Sequence, residues 1–234
     1  MSGVPVTAVI GAGAWGTAFA VHLASIGHSP RIWAFEKETV EDINSGENKI
    51  FLPGIRLSEN IRADNEIDRV IEGADIVFMA VPTQHLASVL DKIDLAEVNR
   101  KTIFVDLAKG IERKTGRFPS QIIRSVFADA HVLVLSGPSF ASEVAEGKPT
   151  VLVTAGDSET AKHLQEVISG PTMRVYRSED ILGVELGGAL KNVFALAAGM
   201  IDGLGLGENT RSAMIVRGLA EVRKLALAMG ADND

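Results

Sequence analysis

V-P-V-T-A-V-I-G-A-G-A-W-G, from Val4 to Gly16, is the stretch that decides how the chain is read. An apolar, β-branched run enters a turn built on Gly11, Gly13 and Gly16, and Ala18, Phe19, Val21, His22 and Leu23 then recur at helical spacing. A lone G-x-G-x-x-G is a weak signal, but between a strand and a helix near the start of a domain it reads as a dinucleotide site. Gly11 would permit the tight turn, Gly13 the approach of a pyrophosphate, and Gly16 close packing of helix on sheet. The helix N-terminus adds unpaired N–H groups and partial positive charge for phosphates. The plainer reading is an ordinary strand-turn-helix whose small residues ease packing. Against it stands a second strand, residues 31–35, which ends at Glu36. An acid at that distance from the turn accepts hydrogen bonds from an adenosine ribose.

Composition narrows the classes. A chain of 234 residues holds one large domain, or one domain and a smaller partner. Hydrophobic content of 46% with 23% charged residues is ordinary for a soluble globular protein. The net charge of −7 argues against a nucleic-acid backbone as partner, which needs clustered cations. It leaves open a small anion, which answers to local charge. With no cysteine, disulfides and thiolate chemistry are absent, which fits the cytoplasm without demanding it. No basic segment followed by an apolar core opens the chain, so no secretory signal is expected. The longest apolar stretch, residues 193–201, is too short and too rich in Gly and Ala to span a bilayer. The five histidines, His22, His28, His85, His131 and His163, are scattered without metal-ligand spacing. They read as surface or packing residues, and no metal is expected.

Strand-like runs recur at residues 6–10, 31–35, 76–81, 102–107, 132–136, 151–154 and 173–176. Helical segments lie between most of them, at 15–26, 84–93, 119–126 and 159–168. Such alternation predicts an α/β fold, a Rossmann-like, doubly wound and mostly parallel sheet with helices on both faces. Several strands are apolar throughout, as expected when both faces are covered. The character changes within residues 178–183. Beyond it no strand is expected, only two long helices at 184–201 and 209–229, separated by a D-G-L-G-L-G-E loop at 202–208. Residues 1–180 thus read as a dinucleotide-binding domain and 181–234 as the start of an all-helical domain.

Three segments could carry chemistry. In G-V-E-L-G-G-A-L-K-N, residues 183–192, two adjacent glycines inside a helix cost about 1 kcal/mol each relative to alanine. Gly187, Gly188, Lys191 and Asn192 share one helix face, so a ligand could lie close to the backbone beside an ammonium and an amide. Close helix packing, with Lys191 in solvent, explains the same pattern. In S-G-P-S-F-A-S-E-V-A, residues 136–145, the chain leaves a strand, turns at Gly137-Pro138 and enters a helix near Ser139. Ser139 is a good N-cap residue, with Glu143 in the first turn, which needs no function. The turn nevertheless lies on the sheet edge where open α/β folds bind ligands. In D-L-A-K-G-I-E, residues 106–112, Lys109 also follows a strand. Together the three segments bring two lysines and a serine to one crevice, suited to a small, negatively charged, oxygen-rich substrate. No Ser-His-Asp set or acid pair presents itself for hydrolysis, and Asp64, Asp68 and Asp75 read as solvated.

These residues strongly resemble the bacterial-type NAD(P)-dependent glycerol-3-phosphate dehydrogenases. The matching segments are G-A-G-A-W-G-T-A, L-P-G, V-P-T, K-G-I-E, L-S-G-P-S-F-A-S-E-V-A and, most specifically, G-V-E-L-G-G-A-L-K-N-V-F-A-L-A-A-G-M-I-D-G-L-G-L-G-E-N-T. The resemblance implies hydride transfer between NAD or NADP and sn-glycerol 3-phosphate or dihydroxyacetone phosphate, feeding phospholipid synthesis. It implies that Gly11, Gly13, Ala14, Trp15, Gly16 and Ala141 meet the cofactor. Lys109 would meet cofactor and substrate, and Gly137 and Ser139 the substrate. Lys191 would be the catalytic acid or base, with Asn192 fixing substrate oxygens, and the assembly a homodimer.

Three departures qualify it. Ala14 stands where bacterial relatives usually carry a hydroxyl residue, so a phosphate hydrogen bond is missing. The segment Trp33-Ala34-Phe35-Glu36 is similar to the eukaryotic NAD-preferring version. Phe35 would stack on adenine and Glu36 repel a 2′-phosphate, which tilts the expectation towards NAD. The family also continues into further helices, with an aspartate and an Arg-Asn pair, beyond Asp234. A fragment that binds cofactor and turns over weakly or not at all is therefore expected. Two other readings stay open: a 3-hydroxyacid or 6-phosphogluconate-type dehydrogenase, and a non-catalytic NAD(H)-binding module.

Overall fold

Ten strands and nine helices are found among residues 3–94, 96 and 98–232, which a computed structural model of the chain describes. Met1, Ser2, Asn233 and Asp234, the outer limits of the two expected domains, lie outside the described residues. Strand β1 (Thr7–Ile10) and helix α1 (Ala14–Ser25) flank the glycine turn, followed by β2 (Arg31–Trp33) and α2 (Lys37–Ser45). A small hairpin, β3 (Glu47–Asn48) with β4 (Leu52–Arg56), precedes β5 (Arg62–Asp64) and α3 (Ile67–Ile71). Then come β6 (Ile76–Met79), α4 (Thr83–Leu90), β7 (Ile103–Asp106), α5 (Pro119–Val126) and β8 (His131–Ser136). The chain continues through α6 (Ala141–Ala145), β9 (Thr150–Ala155), α7 (Ser158–Ile168) and β10 (Met173–Ser178) to α8 (Ile181–Gly203) and α9 (Gly207–Ala228).

Eight strands form one sheet in the order β10-β9-β8-β7-β6-β1-β2-β5. Every residue of β1, β6 and β7 is buried, and their side chains alternate between two cores. Val9, Phe78 and Val105 join Phe19 and Leu23 of α1 on one face. Ala8, Met79 and Phe104 join Leu86, Ile122 and Ile123 of α4 and α5 on the other. Covering both faces explains why these strands read as unbroken apolar runs. The chain order reverses between β1 and β6, so the crevice of a doubly wound sheet opens beside the glycine turn.

One step departs from the parallel pattern. Strand β9 runs antiparallel to β8, with Ser136 opposite Val153, and β10 is parallel to β9. Strand β10 therefore ends at the edge opposite the ligand edge, and α8 must run back along the sheet. The ten helical steps from Ile181 to Lys191 rise roughly 15 Å, about the length of a strand. That distance returns Lys191 to the edge where β1, β6, β7 and β8 end.

The expected loop at 202–208 is shorter than its glycines suggested: α8 runs through Gly203 and α9 starts at Gly207. Helix α8 is also longer than the apolar stretch at 193–201, and by length and composition alone it is apolar enough to cross a membrane. Only Glu185, Leu186 and Gly188 of α8 and Gly218 of α9 are buried among the described residues. Val193, Leu196, Met200, Val216 and Leu219 are exposed, so both helices carry uncovered apolar surface.

Candidate functional site

The turn is built by glycines with distinct tasks. Gly11 has φ +114° and a Cβ there would lie 2.6 Å from the Ala80 carbonyl oxygen. At Gly16 a Cβ would overlap the Gly11 carbonyl oxygen and come within 3.0 Å of Ala80 Cβ, so α1 starts in contact with β1 and the end of β6. Gly13, the N-cap of α1, has open space where its side chain would be. Beneath the turn, the buried Asn48 donates to Ala12 O (2.9 Å) and Thr17 Oγ1 (2.8 Å), so the hairpin braces the loop. Next to the turn the indole of Trp15 keeps its Nε1 buried without a hydrogen-bond partner. The unpartnered indole N–H and the open face of Gly13 both fit a dinucleotide laid across the turn.

Two cavities meet at Trp15, Ala80, Val81 and Pro82. The outer one, 660 Å³, is lined by Gly11, Gly13, Gly16, Phe35, Glu36, Phe51, His85 and Lys92 among others. Phe35 is 68% exposed, free to stack on a planar ring, and Lys92 Nζ lies 5.9 Å from its centroid. The outer end thus carries both signs of charge, Glu36 and Lys92. The inner cavity, 540 Å³, is lined by Ala14, Trp15, Lys109, Ser139, Ala141, Lys191 and Asn192 among others. Volumes of this order suit small-molecule sites.

Three segments far apart in sequence close the inner cavity. Gly137, with φ +152°, follows β8, and a Cβ there would lie 2.6 Å from Val151 O. Its carbonyl accepts from Lys191 Nζ at 2.9 Å and from Ser139 Oγ at 3.2 Å. Ser139 therefore does not cap a helix as expected: α6 starts at Ala141 with Phe140 at its N-cap and no side-chain cap bond. The turn after Pro138 runs one residue longer and leaves the hydroxyl facing back to Gly137. Lys191 is half-buried, and loss of water around it lowers its pKa below the usual lysine value. Lys109 Nζ sits 5.3 Å over the Trp15 ring. Burial lowers its pKa to about 8, with the Lys191 charge adding to the effect and Asp106 opposing it. Two ammonium groups that repel each other in a partly dry crevice form a receptor for a compact anion.

Sequence reasoning missed the acids behind the lysines. Asp106, at the end of β7, is fully buried; its Oδ1 accepts from Ala108 N at 2.8 Å while Oδ2 has no partner. Burial raises its pKa well above the carboxylate norm, and Glu185 raises it further. Glu185 is buried on α8 and accepts from Ser120 N (2.8 Å) and Ser120 Oγ (2.7 Å). His85 was also read as surface or packing, yet it lines the outer cavity. His22 and His28 do pack, each against a carbonyl at the end of α7 (Ile168 O and Val167 O). Asp75 bonds to Val6 N, and Asp64 and Asp68 bond to nearby backbone N–H groups, all outside both cavities.

Comparison with known proteins agrees with this geometry. Residues 6–162 match the model of the NAD-dependent glycerol-3-phosphate dehydrogenase N-terminus, and residues 180–234 that of its C-terminus. The glycerol-3-phosphate dehydrogenase (NAD(P)+) of Moorella thermoacetica is 46% identical over 225 residues, covering 95% of this chain and 67% of that protein. Its counterpart from Citrifermentans bemidjiense is 45% identical over 229 residues, covering 96% and 68%. The crystal structure of glycerol-3-phosphate dehydrogenase from Coxiella burnetii superposes with a TM-score of 0.90 at 34% identity, covering 97% of this chain and 70% of that one. This chain spans about two thirds of the length of these relatives. It belongs to the NAD-dependent glycerol-3-phosphate dehydrogenase family.

Proposed function

We infer that the protein interconverts sn-glycerol 3-phosphate and dihydroxyacetone phosphate with NAD(H) or NADP(H), supplying glycerol 3-phosphate for phospholipid synthesis. The observation that carries this reading is the seat of Lys191, whose Nζ donates to Gly137 O beside Lys109, across Trp15 from the glycine turn. Bound nicotinamide supplies the hydride chemistry. Gly11, Gly13, Ala14, Trp15, Gly16, Phe35, Glu36, Lys109 and Ala141 hold the dinucleotide. Lys109, Gly137, Ser139, Lys191 and Asn192 hold the substrate. As the ketone is reduced, negative charge grows on its oxygen, and the Lys191 ammonium stabilises that charge and delivers the proton. Its lowered pKa brings it nearer the operating pH, where such a donor works best. The test is oxidation of NADH with dihydroxyacetone phosphate, by this chain and by the protein at its relatives' length. Turnover absent from both, with cofactor binding intact, would favour the non-catalytic module.

Residues 1–180 act in this proposal as the dinucleotide-binding domain and 181–234 as part of a helical domain that also forms a homodimer. Helix α8 serves as a domain helix rather than a membrane span, since Glu185 and Lys191 bond into the α/β unit. In this reading the enzyme is soluble and works in the cytoplasm.

Two outcomes are expected of the cofactor. NADH should give the higher kcat/KM, because Glu36 opposes a 2′-phosphate. Glu36→Gln should narrow the gap to NADPH by about tenfold, or ~1.4 kcal/mol. Clear NADPH preference in the unaltered protein would defeat the idea. The second outcome concerns pH. Lys109 is charged below about pH 8 and neutral above it. A bound anion favours the charged form and raises that pKa, so affinity should fall as pH rises through 8. Calorimetry of NADH binding near the pKa, in buffers of differing ionisation heat, should show uptake of roughly half a proton, and almost none two units lower. Equal uptake by Lys109→Met would show that another group titrates.

A further inference from the structure

The contacts of α8 raise a question that the reaction itself does not answer: what holds Lys191 at its place. The helix is 23 residues long, yet among its described residues only Glu185, Leu186 and Gly188 are buried. Beyond Asn192 it presents exposed apolar side chains at Val193, Leu196 and Met200. Its attachment to the α/β unit lies along one face, at steps of three residues. Glu185 bonds to Ser120; Gly188 rests on Ser136, whose Oγ would be 2.7 Å from an added Cβ; and Lys191 reaches Gly137 O. Gly188 gives proximity without direction, and the Lys191 bond is the one to be exchanged for substrate. Directional restraint on this face comes from Glu185.

We propose that Glu185 is a positioning residue that fixes the axial register and rotation of α8, and so the height of Lys191 in the crevice. The inference rests on the dehydrogenase reading above. Both of its carboxylate oxygens are engaged by one residue, Ser120, through N–H (2.8 Å) and Oγ–H (2.7 Å). Ser120 follows Pro119 in the first turn of α5, where backbone N–H groups lack intrahelical partners and the helix end is partly positive. A two-point grip on a helix end resists both sliding and turning, which an apolar contact of the same size does not. Lys191 lies six residues further, roughly 9 Å along the axis, so a small tilt at Glu185 becomes a displacement at the ammonium. A misplacement of about 1 Å at a reacting group can cost about a hundredfold in rate. The neighbouring charged groups are Asp106, which faces Glu185 from the end of β7, and Arg124 on α5.

Three variants test it. Glu185→Ala removes both bonds, Ser120→Ala one, and Glu185→Gln can keep both, its amide oxygen accepting from Ser120 N and its amide N–H donating to Ser120 Oγ. Expected is a fall in kcat of about ten- to a hundredfold for Glu185→Ala, with the NADH Kd within about twofold, and recovery of most of it in Glu185→Gln. Ser120→Ala, which bears on α5 instead of α8, should lie between them and add nothing to Glu185→Ala. An unchanged kcat in Glu185→Ala overturns the proposal, as does a Gln variant no better than Ala. A second readout does not need turnover: acylation of Lys191 by acetic anhydride, followed by peptide mass spectrometry. Loss of the Glu185 grip should raise that rate several-fold, whereas Glu185→Gln should not. Turnover absent even from the protein at its relatives' length, with a changed Lys191 acylation rate, would sink the dehydrogenase reading alone. An unchanged acylation rate would sink the positioning role. If Glu185→Ala does not fold, Ser120→Ala and Glu185→Gln decide between the same outcomes.

Discussion

Gly16→Ala is expected to destabilise the protein by roughly 3 kcal/mol and to abolish cofactor binding, because the added methyl has nowhere to go. Its Cβ would overlap the Gly11 carbonyl oxygen and sit 3.2 Å from the Gly11 carbonyl carbon and 3.0 Å from Ala80 Cβ. The first two neighbours are backbone of the turn, and the third belongs to the segment that follows β6. Relief therefore requires α1 to lift from the sheet, which opens the core around Phe19 and Phe78, whose rings pack at 4.8 Å. A domain of this size is stable by only about 5–15 kcal/mol, so the loss is a large share. Urea unfolding should show a lower midpoint with an unchanged slope. Gly13→Ala is the control, since that site has ordinary φ of −66° and no neighbour within 4 Å. It should leave stability within about 0.5 kcal/mol while weakening NADH binding, as a methyl there faces the ligand space. Equal midpoints for the Gly16 variant and the unaltered protein would show that the turn relaxes more easily than its packing implies.

Lys191→Ala should lower kcat by a factor of about 10² to 10⁴, the usual worth of a positioned proton donor, with little change in NADH affinity. Lys191→Arg should not restore activity, because a guanidinium stays protonated and its fork does not match the single bond to Gly137 O. Steady-state kinetics with dihydroxyacetone phosphate, beside direct NADH binding, separates the two effects. A fall in affinity for NADH as large as the fall in kcat would mean that Lys191 serves the cofactor.

Much of this arrangement was legible in the residues, for identifiable reasons. Strands β1, β6 and β7 announce themselves because burial on both faces demands unbroken apolar runs, and α5 because Pro119 opens it. The hairpin β3–β4 and the edge strand β5, Arg62–Asp64, stayed invisible. They are short, polar, and owe their pairing to tertiary contact rather than to periodicity. The reversal at β9 was equally hidden, since nothing in T-V-L-V-T-A encodes a direction. In the candidate site, Lys109, Ser139, Lys191 and Asn192 were readable because each follows a strand or shares a helix face with glycines. Glu185 and Ser120 were not, being 65 residues apart and each innocuous alone. Asp106 carried no reading of its own in the sequence, since only its complete burial at the end of β7 sets it apart.

The reversal at β9 divides labour between two kinds of helix presentation. In a uniformly parallel sheet each helix meets the ligand edge with an end, offering backbone N–H groups and a fixed partial charge, as α1 does at the glycine turn. Because β9 and β10 run the other way, α8 reaches the same edge with its flank, offering side chains in pairs such as Lys191 and Asn192. Backbone recognition is indifferent to most substitutions, whereas a flank changes its chemistry with every residue. Under the proposed function the cofactor grip and the reactive group are thus written in separable parts of the chain, and a new reaction could be drafted on α8 while the nucleotide turn stays as it is.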